Sequence, residues 1–421
     1  MELRKIKHNV MTHIKKVVNK WDTTKYIYIR VRDFYRKTRY TLKYKNKYPL
    51  DDRMIVFESY KGEQYSCNPR VLYEAIQADP AFKGYKKVWA FIHPEEFEWL
   101  AKQPGTRVVK YRTPGYFKAY AKAKYWFTNA RLASDMTPKK DQIYLQTWHG
   151  TPLKRLGYDI VNYHGTQYVP KEHRYHYSSD AKRYTYMVGP SGFYKEKITS
   201  AFNLKGIHKE DIFIDCAYPR NDCLCRVDPE KIRSLKKQLG IPEDKRVILY
   251  APTWRANYEQ ELKGIHFFLN IHFDKWQEAC GEDSVILFRT HYLVKNSVDL
   301  TAFEGFVYNV SDYPDIRDLY LVSDVLVTDY SSVFFDYANL CRPMIFFMYD
   351  YEEYKNEKWG FYIDVKELPG PIVQTEEELV RLLPSYDGTG YEEAYKVFND
   401  KFNPYRDGNG TEIVLRTIFR T

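Results

Sequence analysis

Short apolar runs alternate along the chain with stretches whose apolar positions recur every three or four residues. Residues 54–57, 87–92, 106–111, 124–128 and 143–148 read as buried strands. Helical patterns separate several of them, at residues 94–102 and 116–123, and Asn68-Pro69-Arg70 opens another helix. The style repeats further on. Residues 212–216, 246–250, 284–288, 306–309, 324–328 and 344–347 read as strands, and 229–239, 316–322 and 333–340 as helices. Strand–helix alternation predicts parallel sheets covered on both faces. The seam at residues 216–229 divides the chain into an arm (1–50), a first α/β unit (51–222) and a second (223–421). Two doubly wound units facing across a cleft are expected, with ligands beyond the C-terminal ends of the strands.

The arm has its own texture. Residues 1–48 hold fifteen Lys/Arg against three acids. Ile6, Val10, Ile14 and Val17 stand at helical spacing, and Tyr26, Tyr28, Ile29, Val31, Phe34 and Tyr35 follow. A basic amphipathic helix of this kind can lie in an anionic headgroup layer. A solvated helix packed on its own domain, or an RNA-binding arm, fits the same pattern.

Composition narrows the class. The 421 residues carry a formal charge of +10 and are 44% hydrophobic, which suits packed cores and a polyanionic partner. The six cysteines are scattered without zinc-finger spacing and read as reduced thiols. The first twenty residues lack the apolar core of a signal peptide. No window approaches the ~20 apolar residues of a membrane span, so any membrane contact is expected to be peripheral.

Four stretches could carry chemistry. In Gln146-Thr-Trp-His-Gly-Thr-Pro-Leu-Lys154 a strand runs into His149. Gly150, Thr151 and Pro152 then turn the chain, so the imidazole stands where an α/β sheet places ligands. A neutral His149 could take a proton from an alcohol; a core histidine satisfied by backbone is the alternative. After the strand 246–250, Thr253 and Arg255 offer a hydroxyl and a guanidinium suited to phosphate, or Arg255 packs on Trp254. Arg289 and His291 alternate after four apolar residues and could grip a diphosphate, or form a wet surface pair. In Asp324-Val-Leu-Val-Thr-Asp-Tyr-Ser-Ser-Val-Phe-Phe-Asp336, a strand passes Asp329, a further candidate for holding the donor, into a helix expected to start near Ser331. Ser331 and Ser332 would offer donors to an anion there, or serve only as N-caps. Asp336, one turn on, could reach ribose hydroxyls. Walker and dinucleotide glycine patterns are absent, and no histidine pair suggests a metal cage; His173 and His176 read as part of a tyrosine-rich loop.

Thr147-Trp-His-Gly-Thr-Pro-Leu-Lys154, Tyr250-Ala-Pro-Thr-Trp-Arg255, Arg289-Thr-His291 and Thr328-Asp-Tyr-Ser-Ser-Val-Phe-Phe-Asp336 together resemble the CDP-glycerol:poly(glycerophosphate) glycerophosphotransferase family of teichoic-acid primases and polymerases. Asn68-Pro69, Thr128-Asn129 and Tyr218-Pro-Arg-Asn-Asp222 add to the likeness; Ala217 departs from it, standing where the family often has Gly. The resemblance implies a GT-B architecture of two Rossmann-like domains, with nucleotide held mainly by the C-terminal one. It implies His149 as general base, Arg289 and His291 on donor phosphates, and Ser331 and Ser332 at a phosphate-facing helix start. The expected donor is CDP-glycerol, with CDP-ribitol as alternative. The expected acceptor is a lipid-linked teichoic-acid chain at the cytoplasmic face of the membrane, with no nucleic-acid partner. No cofactor is expected, though a divalent ion such as Mg²⁺ could assist the pyrophosphate. A GT-B nucleotide-sugar glycosyltransferase and a non-catalytic RNA-binding protein are the other readings.

Overall fold

Met54, Ile55, Val56 and Phe57 are all buried, on both faces of one strand, as parallel strands sandwiched between helices require. They lie in Asp51–Glu58 (β1) of a computed structural model that describes residues 22–161, 163, 169–253, 271–290, 299–352 and 360–419. A helix, Asp22–Tyr40 (α1), precedes β1, and Cys67–Ala78 (α2) follows it. The first sheet continues through Lys86–Phe91 (β2), Thr106–Lys110 (β3), Ala123–Thr128 (β4), Ile143–Gln146 (β5), Tyr186–Gly189 (β6) and Phe213–Asp215 (β7). Its order is β3-β2-β1-β4-β5-β6-β7, with every pairing parallel.

The second sheet comprises Arg246–Ala251 (β8), Ser284–Phe288 (β9), Val307–Asn309 (β10), Val325–Thr328 (β11), Met344–Phe347 (β12) and Ile372–Val373 (β13). Its order is β10-β9-β8-β11-β12-β13, again parallel. In each sheet the strand order reverses once, between β1 and β4 and between β8 and β11. Such reversals open a crevice at the strands' C-terminal ends, because the flanking connections diverge to opposite faces.

Several expectations are corrected. Residues 94–102 form a 3₁₀ turn, Pro94–Phe97, and a single α turn, Glu98–Ala101, rather than one helix. His173 and His176 sit on a helix, Pro170–Ala181 (α3), not in a loop. The helix expected from Ser331 begins at Val333 and is short, Val333–Tyr337 (α4). The apolar set Ile6 to Val17 lies outside the described residues.

The last helix, Gly410–Phe419 (α5), leaves the second sheet and returns to the first. Val414 and Ile418 join the first core, and Phe419 packs against Phe82 at 4.8 Å and Tyr125 at 4.5 Å. A boundary that assigns residues 223–421 wholly to the second unit therefore misplaces this helix. Among the described residues the chain passes between the halves twice, and the two passages lie side by side. Asp222 accepts from the Gly410 amide at 3.0 Å and the Thr411 amide at 2.8 Å, and Arg226 donates to the Asp407 carbonyl.

Candidate active site

The turn after β5 is built by backbone and amide side chains. The Thr147 amide donates to the Thr128 carbonyl at 2.8 Å, and the Trp148 amide to Gln146 Oε1 at 2.9 Å. Trp148 is left-handed (φ 53°) and Gly150 has φ 152°. A residue such as Trp adopts that conformation only when its surroundings enforce it. Here Asn68 Nδ2 holds the Trp148 carbonyl at 3.0 Å. The turn swings the half-buried His149 imidazole onto the Trp148 ring, with centroids 4.5 Å apart, and beside Tyr60 at 5.5 Å.

Nδ1 of His149 lies 2.7 Å from the Asn129 carbonyl oxygen. A carbonyl only accepts, so Nδ1 carries the hydrogen and Nε2 keeps its lone pair. Burial lowers the imidazole pKa to about 4. The Asn129 bond opposes that shift, and the positive charges of Arg220, Arg131 and Lys61 add to it. The ring is therefore a neutral proton acceptor near neutral pH. Asn129 is itself fixed, since its Oδ1 accepts from the Tyr60 amide at 2.7 Å.

Across the crevice stand Ser331 and Ser332, ahead of α4. Ser332 occupies the N-cap position, yet its side chain makes no capping bond. A Cβ on Gly150 would sit 3.5 Å from Ser332 Oγ and 3.4 Å from Arg220 Nη2, so the two turns nearly touch. A cavity of about 400 Å³ lies between them, lined by His149, Gly150, Thr253, Arg289, Ser331 and Ser332, with Thr151 and Pro152 at its wall. Arg289 Nη1 donates to the carbonyls of Val310 at 3.0 Å and Tyr313 at 2.8 Å, which fixes the guanidinium at the cavity wall. Asp329 is a brace: Oδ1 accepts from the Thr253 amide at 2.8 Å, tying the ends of β8 and β11. Arg255 and His291 lie outside the described residues.

Asp336 has partners within the protein. It is buried, and both its oxygens are engaged: one by Arg220 Nη2, the other by Asn221 Nδ2 at 2.8 Å. The carboxylate thus joins the two halves, beside a pocket that His149, Arg289 and Ser332 also line. Burial works against the Arg220 charge, but its acidic neighbours, Asp336 foremost, together outweigh it, so the guanidinium stays protonated. Asn68 completes the tie, accepting from the Arg220 amide at 3.0 Å while donating to Trp148. Asn68, Asn129, Arg220 and Asn221 join the site without standing out in the sequence as candidates. Their only sequence signals were the Asn68-Pro69, Thr128-Asn129 and Tyr218–Asp222 motifs. Among the described residues, no group of His, Cys, Asp and Glu could hold a metal ion.

This arrangement suits deprotonation of a hydroxyl facing an anion held by the opposite turn. The chain is 38% identical over 379 residues to the teichoic acid poly(glycerol phosphate) polymerase of Bacillus subtilis (strain 168), covering 89% of this chain and 50% of that protein. It therefore spans about half the length of that curated relative. It is 38% identical over 385 residues to the teichoic acid glycerol-phosphate transferase of Staphylococcus aureus (strain NCTC 8325 / PS 47), covering 90% of this chain and 96% of that one. A variant of the wall teichoic acid polymerase TagF, soaked with CDPG, superposes with a TM-score of 0.83 at 34% identity, covering 96% of this chain and 98% of that one. With residues 39–420 matching its characteristic pattern, the chain belongs to the CDP-glycerol:poly(glycerophosphate) glycerophosphotransferase family.

Proposed function

We propose that the chain transfers glycerol phosphate from CDP-glycerol to a terminal hydroxyl of a membrane-linked teichoic-acid acceptor, releasing CMP. The observation that carries this reading is His149, with a lone pair on Nε2, facing Ser332 across one shared cavity. His149 takes the proton of the acceptor hydroxyl. The alkoxide oxygen bonds to the distal phosphorus of the donor, the phosphoanhydride bond breaks, and CMP leaves with its electron pair. Arg289, the Ser331 and Ser332 hydroxyls and Thr253 hold the charge of the pyrophosphate. Positioning and electrostatics supply most of the acceleration in such transfers. A divalent ion could share that charge without a protein cage.

We assign the two sheets with their helices to the two Rossmann-like lobes of a GT-B architecture; the strand orders support this, with the donor on the second lobe. The donor assignment draws on the CDPG-soaked TagF variant.

Membrane attachment is read from α1. Its inner face buries Ile29, Asp33 and Tyr40 and meets α3 through Tyr26 and Tyr175. Its outer face exposes Ile27, Val31, Phe34 and Tyr35, continued by Leu42, among Arg30, Arg36, Arg39 and Lys43. An apolar stripe edged by cations suits an anionic lipid surface at the inner face of the cell membrane. Among the described residues no helix is long and apolar enough to cross a membrane.

The test is a donor panel. CDP-glycerol, CDP-ribitol and UDP-sugars are offered to the purified chain with a lipid-linked acceptor, and CMP and UDP release are measured. CMP release from CDP-glycerol is expected; UDP release alone would replace this reading with a glycosyltransferase.

A further inference from the structure

Beside the His149 cavity lies a larger one of about 870 Å³. One wall comes from α2 and residues 96–103, the other from the loop 311–314. Arg289 lines both cavities, so the two lie side by side. The Arg70–Asp315 ion pair, at 3.0 Å, joins the two walls.

The larger cavity presents rigid aromatic surface. Trp99 is 47% exposed and meets Tyr65 edge-on at 5.2 Å. Tyr65 is backed by Trp89 at 5.0 Å, and Phe97 by Phe91 at 4.0 Å. Rings already fixed by the core can cover the apolar face of a ligand with little loss of conformational freedom. Around them stand the carboxylates of Glu63, Glu74, Glu96 and Asp312 and the amides of Gln64 and Gln103. Carboxylates accept from hydroxyls, and amides both accept and donate.

Charge separates the two cavities. Arg220, Arg131 and Lys61 act on His149, a setting for phosphates. In the larger cavity the four acids face two arginines, and Arg70 is already paired with Glu74 at 2.8 Å and with Asp315. A phosphate chain would be repelled there, although the chain as a whole carries +10.

We propose that this cavity is a subsite for a neutral, hydroxyl-rich ring, a saccharide unit of the acceptor stacked on Trp99, with the acceptor's phosphates left on the His149 side. Only the word acceptor rests on the transferase reading; the binding site stands apart from it.

The test titrates the full chain with two neutral disaccharides, cellobiose and N,N′-diacetylchitobiose, and with CMP and glycerol 3-phosphate as charged comparators, by saturation-transfer NMR and calorimetry. Saturable binding of at least one disaccharide is expected. Trp99→Ala should weaken it roughly tenfold, Trp99→Phe should largely restore it, and CMP affinity should stay the same in all three proteins. Absence of saturable disaccharide binding, or binding indifferent to Trp99→Ala, overturns the proposal. So does an equal loss of CMP affinity, which would place a nucleobase in the cavity. Disaccharide binding through Trp99 in a chain that releases no CMP from CDP-glycerol would sink the transferase reading and leave the subsite standing.

Discussion

Gly150 and Ser332 face one another so closely that a Cβ on the glycine would lie 3.5 Å from the serine hydroxyl oxygen, although 182 positions of sequence separate them. Gly150 also has a φ that side-chain-bearing residues rarely adopt. Gly150→Ala should therefore strain the turn by about 1–3 kcal/mol and crowd the anion side of the cavity. A fall of at least about tenfold in CMP release is expected, with a circular-dichroism spectrum like that of the wild type; unchanged turnover would separate the two turns functionally.

His149 supplies a pH test. A general base works only when deprotonated, and burial lowers this imidazole to about 4. As pH falls through that value the ring gains a proton and activity is lost. Above it the ring is neutral. The acidic limb of kcat/KM should thus lie near 4, well below the ordinary histidine value of about 6.5. His149→Ala should lower turnover by at least ~10²-fold and abolish that limb. A limb near 6.5 that survives the substitution would assign the proton to another group.

Asp336 distinguishes a tie from a ligand contact. Its carboxylate is buried and engaged by Arg220 and Asn221. Asp336→Ala leaves a buried guanidinium without its partner, and a cost of about 3–5 kcal/mol is expected as a lowered Tm. If Asp336→Asn instead raised the donor KM at constant Tm, Asp336 would belong to the nucleotide site.

The outer face of α1 can be tested without touching the site. Phe34 is 73% exposed. Phe34→Asp places an anion in the stripe meant for lipid, and sedimentation with phosphatidylserine-containing vesicles should show binding weakened about tenfold or more, with Tm unchanged. Equal binding by both proteins would turn attention to another surface.

Much of this architecture was legible in the sequence, and the reasons differ by element. β9 and β12 fall on the expected residues because continuous apolar runs of that length have one use in a parallel sheet. β6 leaves no such trace: Tyr186-Met-Val-Gly189 is short and follows tyrosine-rich chain, so no run stands out. α3 read as a loop because Pro170 to Ala181 carries no apolar stripe; it packs through tyrosines and histidines whose rings are as polar as they are apolar. For the site, position along the fold was readable and partnership was not. His149 and the serine pair could be placed at strand ends by counting. That Asp336 would turn to Arg220, or that Asn129 would fix the histidine tautomer through a main-chain oxygen, depends on which loops meet, and local patterns carry no trace of it.

The paired passages near Asp222 and Gly410 bear on motion. One covalent crossing would act as a universal joint and let the halves twist freely. Two crossings strapped together by Asp222 and Arg226, with the buried Asp336–Arg220 pair also joining the halves, resist that twist. The imidazole therefore keeps its station opposite the serines, and the fold sets that alignment before any substrate arrives.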